Sequence, residues 1–560
     1  MIRRLLSMVN KRFQGMHEAA ILLGVFSLVS QLIGLARDRM LAHTIGPSAT
    51  LDTYYAAFRI PDLIFLSVAS LASITVLMPF IVSRMDSGGK ESAKAFFDEV
   101  LSGFFLLLVL VSGAVFVLMP YLARFVAPGF APAELAQLVT ASRIMLLSPI
   151  FIGLSNMLGT VTQLMRKFFI FSLSPIFYNL GIVIGIIFFY PRFGTAGLAG
   201  GVALGAVLHV LVQLPTVVQA GFAPRLLARW KAVTLRQVAG VSLPRTLGLS
   251  MNSIALLVIM AMGSTLGAGS ISIFNFAFNL ETVPVGIIGV SYSVAVFPIL
   301  AEAFSRGRRE EWQSAILSAV RQVVFWSLPL MALLIVVRAQ IVRVTLGSGA
   351  FSWSDTRLTA ACLALFAVGL VAQNLVLVST RAFYAAHNTK TPLVINACCS
   401  VLIVGLAAAL LGAFGRFPFF RYFMESLLRV DGVPGTEVLM LPLAYSVGTL
   451  LNALLHWIDM RRTYLTSAGN LPRTLFEALG AAFAVGITAY GMLAVLARVF
   501  SLETFWGVLL QGGIASLAGA LAGAGLLLLL KSETFLELVA ALRKKFWKVD
   551  LVTSEEPKEK

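Results

Sequence analysis

GLARDRMLAHTIGPSATLDTYYAAFRIP, Gly34 to Pro61, is the stretch on which the interpretation of this chain turns. It sets Arg37, Asp38, Arg39, Asp52 and Arg59 between two long apolar runs in a protein where charge is scarce. Of 560 residues, 58% are hydrophobic and 12% charged, and the mean hydropathy is +0.90. No soluble core hides that much apolar surface, so the chain is an all-α polytopic membrane protein.

Outward from that stretch, fourteen runs are long enough to span a bilayer as helices. They are residues 19–36, 60–82, 101–121, 142–165, 168–190, 196–218 and 243–266, then 273–300, 316–337, 358–384, 393–414, 439–457, 475–496 and 505–530. The first follows Arg3, Arg4, Lys11 and Arg12 as a secretory signal does. It carries Ser27, Ser30 and Gln31, however, and ends in charge without a small-residue cleavage site, which marks a retained helix.

A net charge of +17 would suggest nucleic acid in a soluble domain, but in a membrane protein Lys and Arg must be sorted loop by loop. The N-terminus and the loops holding Arg84, Lys90 and Lys94, Arg166 and Lys167, and Arg225, Arg229, Lys231 and Arg236 fall on one side. So do Arg306, Arg308 and Arg309, Lys390, Arg461 and Arg462, and a tail with Arg543, Lys544, Lys545 and Lys548. With an even helix count, both termini are expected in the cytoplasm. Anionic membrane lipid is then the expected partner, not nucleic acid. After Lys531 the tail has the pattern of an amphipathic surface helix ending in a disordered SEEPKEK. Two stretches on the opposite side carry charge: the opening one, and Arg416 to Glu437 with its aromatics, Arg421, Glu425 and Arg429.

An internal repeat divides the chain. Ser174-Pro175-Ile-Phe-Tyr-Asn179 is echoed by Thr391-Pro392-Leu-Val-Ile-Asn396, and GVALGAVLH at Gly201–His209 by GTLLNALLH at Gly448–His456. Ala57-Phe58 matches Ala277-Phe278. In order, these predict two parallel six-helix halves, 19–218 and 243–462, joined by a cytoplasmic linker at 219–242. Two further helices occupy 463–530, between a cytoplasmic N-terminus at 1–18 and a basic tail at 531–560. Substrate is expected between the halves.

On the first helix Ser27, Gln31, Gly34 and Asp38 follow helical spacing, flanked by Ser30 and Arg37. A charge deep in a span costs about 2.5–3.5 kcal/mol, so it faces protein or water. Two explanations fit the spacing equally: Arg37 lines a cavity and offers a fork of donors to phosphate, or Arg37 and Arg39 snorkel to headgroups while Asp38 pairs with one of them. Asp52 is placed to cap the second helix, and Arg59 to pair with Asp62 three residues on. In the eighth run Asn275 and Asn279 share a face ahead of Pro284, whereas Glu281 points elsewhere unless Pro284 distorts the turn. Those asparagines either line an interrupted helix or bond neighbouring helices across a proline kink. Gly197, Gly201 and Gly205, four apart, predict close helix packing, and His209 and His456 are expected to hydrogen-bond rather than carry protons. Cys362, Cys398 and Cys399 lie in apolar runs without His or Cys at ligand spacing. No metal, cofactor, catalytic triad or phosphate-binding loop is expected.

GLARDRMLAHTIG, with Asp52, Ala57, Phe58 and Pro61 downstream, resembles the opening signature of the MurJ (MviN) family, the lipid II flippases of the MOP exporter superfamily. RAFYAAHNTKTP at Arg381–Pro392, QLMRKFFIFSLSPIFYNLGI at Gln163–Ile182 and GTAGLAGGVALGAVLHVLVQLP at Gly194–Pro215 are similar to later family segments. The resemblance implies a two-lobed transporter, not an enzyme. It would move an undecaprenyl-pyrophosphate-linked disaccharide pentapeptide across the bacterial inner membrane by alternating access. A monomer that meets the cell-wall synthesis machinery is expected. Arg37 and Asp38 match the family's Arg-Asp, and Asp52 its acid in the next loop. The chain departs from the pattern where Phe65 and Asn279 take the place of family arginines, and where Ala69, Ser70, Leu71 and Ala72 replace Ala-Glu-Gly-Ala. The candidate substrate-binding set is therefore Arg37, Asp38, Asp52, Arg59, Asn279 and Glu281. An exporter of another polyprenyl-linked glycan or amphipathic solute, and a scaffold that has lost transport, are the alternatives.

Overall fold

The computed structural model describes residues 16–72, 74–227, 232–466 and 469–546. The residues with Arg3, Arg4, Lys11 and Arg12, those with Arg229 and Lys231, and the end of the tail with Lys548 and SEEPKEK lie outside them. The described residues form helices and turns without strands. Eleven helices among them are long and apolar enough to cross a membrane, matching eleven of the fourteen predicted runs.

The other three runs each have an explanation. The first lies within the helix Met16–Thr44, which carries Arg37, Asp38 and Arg39. The second is broken: a helix at Arg59–Ser67 gives way to a 3₁₀ turn at Ala69–Ala72, and a new helix starts at Ile74. At the end of the first of these helices Ser67 turns its hydroxyl back onto the Leu63 carbonyl at 2.5 Å. The seventh belongs to the helix Ala232–Gly263, whose apolar part is described from Ser250. Gly89, at φ 71, turns the chain inside Ile74–Val126, between the second and third runs.

The chain gathers into two compact units. One comprises residues to Pro284, Ile341–Ala372 and His387–Trp457, and the other Val285–Gln340, Gln373–Ala386 and the residues from Ile458. Within the first, Phe97, Val100, Leu158, Val161, Val217 and Val238 belong to one buried apolar cluster. The opening helix packs on Phe168–Ile184, with Phe26 edge-on to Phe169 at 5.2 Å. Phe168–Ile184 in turn meets Thr195–Leu211 almost backbone to backbone. A Cβ on Gly201 would sit 2.5 Å from Gly185 Cα, and one on Gly205 2.4 Å from the Tyr178 carbonyl oxygen. The four-residue glycine spacing therefore serves close packing, as predicted. His209 Nδ1 lies 2.6 Å from Ser155 Oγ, and His456 Nδ1 bonds the Asn452 carbonyl at 3.0 Å.

In the second unit Phe325, Ala481 and Leu527 form a buried cluster that Phe535 covers. The predicted tail helix forms at Glu533–Phe546. Its start is pinned: Ser532 Oγ donates to buried Glu477 at 2.6 Å, and Arg473 bridges Glu477 (2.9 Å) and Glu533 (3.3 Å). Among the residues this unit contributes, Asn374 Nδ2 donates to Ser327 Oγ at 2.9 Å, both side chains fully buried.

The glycine contacts leave no room for a methyl group. Gly201→Ala is expected to cost about 1–3 kcal/mol from overpacking, seen as a lower melting temperature in detergent. Ala at Gly113, which nothing approaches within 4 Å, should leave the melt nearly unchanged. Equal melts for the two variants would count against backbone contact as the constraint.

Candidate functional site

The site grows from the end of the opening helix. Arg37 Nε and Nη2 donate to Asp38 Oδ1 at 2.9 and 2.7 Å, and Nη1 donates to Asn179 Oδ1 at 3.1 Å. The second Asp38 oxygen accepts from Asn279 Nδ2 at 3.0 Å. One chain of bonds thus joins residues that are 142 and 241 positions apart. Among the described residues these bonds use three of the five N–H groups of Arg37, so two remain for a ligand. Arg37 is not snorkelling: it turns inward to Asn179, while Arg39 donates to the Val344 carbonyl.

Asp52 sits one turn inside Ala49–Ala57, whose cap is Ser48. Instead of capping its own helix, it caps a distant one. Its oxygens accept from the Gly269 and Ser272 amides at 2.7 Å each and from Ser272 Oγ at 2.5 Å, at the start of Ser270–Val285. That placement satisfies orphan donors of the first turn and puts negative charge at the positive end of the helix dipole. Burial pushes the Asp52 carboxyl up to about 6, outweighing the Ser272 and Gly269 bonds that pull the other way.

Arg59 and Asp62 attract each other as the spacing suggested, but the hydrogen bond of Arg59 goes elsewhere. Its Nη2 donates to Asn275 Oδ1 at 2.6 Å, because Asn275 faces the second helix and offers an acceptor inside the packed unit. Nε of Arg59 is buried without a hydrogen-bond partner among the described residues. Asn275 also donates to the Ile271 carbonyl at 2.7 Å. Asn275 and Asn279 do share a face, and both reach the opening stretch. Pro284 does not interrupt the helix: it runs to Val285 and continues through a π-helical turn at Gly286–Val290. Glu281 is fully buried further along the same helix. Gln31, Phe65 and the turn at Ala69–Ala72 carry no charge here.

Sequence inspection picked out Asn275 and Asn279 but missed Asn179 and Ser272 as members. Asn179 was visible only as part of a repeat, and its equivalent, Asn396, likewise accepts an interhelical bond, from Asn452 at 3.0 Å. Ser272 gave no signal, since its amide is recruited by a carboxylate 220 residues away.

The described residues thus form an all-helical membrane fold in which the Arg37–Asp38 pair bonds residues of distant helices. The chain superposes with a TM-score of 0.70 on a lipid II flippase MurJ in an inward closed conformation, at 20% identity over 93% of this chain and all of that one. An inward-facing multidrug resistance MATE transporter of the MOP superfamily gives 0.63, at 17% identity over 81% of this chain and 99% of the other. The profile of the family described as lipid II flippase MurJ matches residues 41–510, and the chain belongs to that family. Among its relatives, the lipid II flippase MurJ of Burkholderia cenocepacia is 26% identical over 82% of this chain and 86% of its own. A probable lipid II flippase MurJ of Buchnera aphidicola from Acyrthosiphon pisum is 29% identical over 66% and 73%.

The Asp52 contact has a sign in pH. Its carboxyl titrates near 6 when folded against 3.8 when free, so the folded form holds the proton more tightly. That contribution to stability is complete below about 3.8 and is lost as the pH rises through about 6. Between those values the wild-type melting temperature should fall with rising pH. In Asp52→Asn, which does not titrate, this part of the slope should vanish; an unaltered slope would remove Asp52 from the account.

Proposed function

We propose that this chain flips lipid II, an undecaprenyl-pyrophosphate-linked muropeptide, across the bacterial inner membrane by alternating access between the halves 19–218 and 243–462. Membership of the MurJ family supports the substrate class. The observation that carries the proposal is the Arg37–Asp38 pair, suspended between Asn179 and Asn279. In it a guanidinium is kept charged and oriented by a carboxylate that shares it with only neutral neighbours.

A pyrophosphate oxygen is a stronger partner for guanidinium than an amide oxygen is. When it arrives, Arg37 gives up Asn179 and uses its two remaining N–H groups, while Asp38 keeps the fork oriented. Arg59 adds a second cation next to the same asparagine-bearing helix. With Phe65 and Asn279 where the family places arginines, these two carry more of the recognition than usual. Three sets of bonds strap the opening helices to Ser270–Val285: Asp38–Asn279, Arg59–Asn275, and Asp52 to Gly269 and Ser272. Each bond has one charged partner and is worth about 1.5–3 kcal/mol net, so the strap can be broken and remade in a transport cycle. The termini lie in the cytoplasm in this proposal, anionic lipids contact the basic loops, and the protein works as a monomer near the cell-wall synthesis machinery.

The test is replacement of the native flippase in depleted cells. Wild-type chain should restore growth; Arg37→Ala should abolish rescue at normal membrane levels, and Arg59→Ala should weaken it. Full rescue by Arg37→Ala would sink the site assignment. Failure of the wild type despite normal insertion would favour export of another polyprenyl-linked glycan, for which fewer cationic contacts suffice.

A further inference from the structure

Between the helices Lys390–Arg416 and Met440–Thr463 the chain forms a short helix, Pro418–Leu428. Its inner side is firmly held. Met424, Glu425 and Leu428 are buried, and Glu425 Oε1 accepts from Arg421 Nε at 2.9 Å and from Thr436 Oγ1 at 2.6 Å. Phe420 meets Phe414 edge-on at 6.2 Å. Arg429, at φ 61, ends the helix, and Arg357 holds the turn by donating to the carbonyls of Arg429 (2.7 Å) and Asp431 (3.3 Å). A segment fixed this way presents a defined outer face.

That outer face is apolar. Phe419, Phe423 and Leu427, four apart, form one ridge and are 84%, 53% and 60% exposed. Tyr422, 67% exposed, flanks the ridge, and Phe417 precedes it. A loop standing in water would leave this contiguous patch uncovered, which soluble surfaces rarely do.

We propose that Pro418–Leu428 lies in the bilayer interface, with its Phe419–Phe423–Leu427 ridge sunk to the boundary of headgroups and acyl chains, and that it sets the depth of the two spans it joins. Three observations favour lipid over a protein partner. Only Phe417 separates Arg416, the end of the preceding span, from Pro418 at the start of the helix, so the helix stays close to the membrane. Further along, both adjoining spans expose apolar side chains as well, Val401 and Leu402 on one and Leu454 and Leu455 on the other. Phenylalanine and tyrosine are also the residues that gather at membrane–water boundaries, where an amphipathic helix buries its apolar side.

The test uses the whole chain carrying Cys398→Ser, since Cys398 is exposed whereas Cys362 and Cys399 are buried. Single cysteines at Phe419→Cys, Phe423→Cys and Asp431→Cys are spin-labelled in vesicles of phosphatidylethanolamine and phosphatidylglycerol. Their relaxation by dioxygen, which concentrates in lipid, is compared with relaxation by a water-soluble nickel chelate. The contrast should favour oxygen at 419 and 423 and reverse sign at 431, which is exposed in the turn. Nickel access at 419 and 423 equal to that at 431 places the ridge in water and overturns the proposal. If the cysteine variants do not insert, Phe419→Trp in vesicles with brominated acyl chains replaces them. Quenching should exceed that of the wild type with its seven tryptophans, and equal quenching overturns the proposal.

Discussion

A carboxylate taken out of water must be met by donors, and two such carboxylates organise the start of this chain. Asp38 receives Arg37 and Asn279, and Asp52 receives two amides and the hydroxyl at the start of Ser270–Val285. In both cases at least one donor comes from a helix more than two hundred residues away. The need to satisfy these two groups ties the opening helices to the eighth predicted span. It also holds Arg37 inside the protein when a headgroup was available as an alternative.

The chemistry of that tie suits a moving part. Covalent or metal cross-links would hold too firmly, and a purely apolar contact between spans gains little in lipid, where the surroundings are equally apolar. Hydrogen bonds to amides and a hydroxyl lie between these limits. The asparagines at 275 and 279 matter for the same reason. An arginine at 279 beside Asp38 would have made an ion pair, whereas the amide is a neutral donor to the carboxylate and adds no second charge. Elsewhere the unit is rigid: glycines bring Phe168–Ile184 and Thr195–Leu211 into backbone contact, which admits no slack.

Much of the fold was legible because membrane composition is a strong constraint. Runs such as 101–121 and 505–530 must be helices, since lipid offers their backbones no other partner. The glycine spacing at 197, 201 and 205 and the hydrogen-bonding histidines were legible for a similar reason, that each follows from local periodicity. The break in the run 60–82 was not, because hydropathy averages over a window and the 3₁₀ turn at Ala69–Ala72 takes up only four residues of it. Of the candidate site, Arg37, Asp38 and Asn279 came together as neighbours. Arg59 and Asp52 found hydrogen-bond partners other than the local ones their spacing offered.

The sequence by itself therefore determined the solvent, the helical class, the approximate spans, and the residue types able to grip a phosphate. These follow from composition and from periods of a few residues, which are properties of the chain alone. Only the tertiary structure decided that Arg37 turns inward to Asn179, that Asp52 caps Ser270–Val285, that Arg59 hydrogen-bonds Asn275, and that Phe419, Phe423 and Leu427 face outward. Each depends on which groups are brought within about 3 Å of one another across long separations. Local spacing says nothing about such distances, because packing sets them.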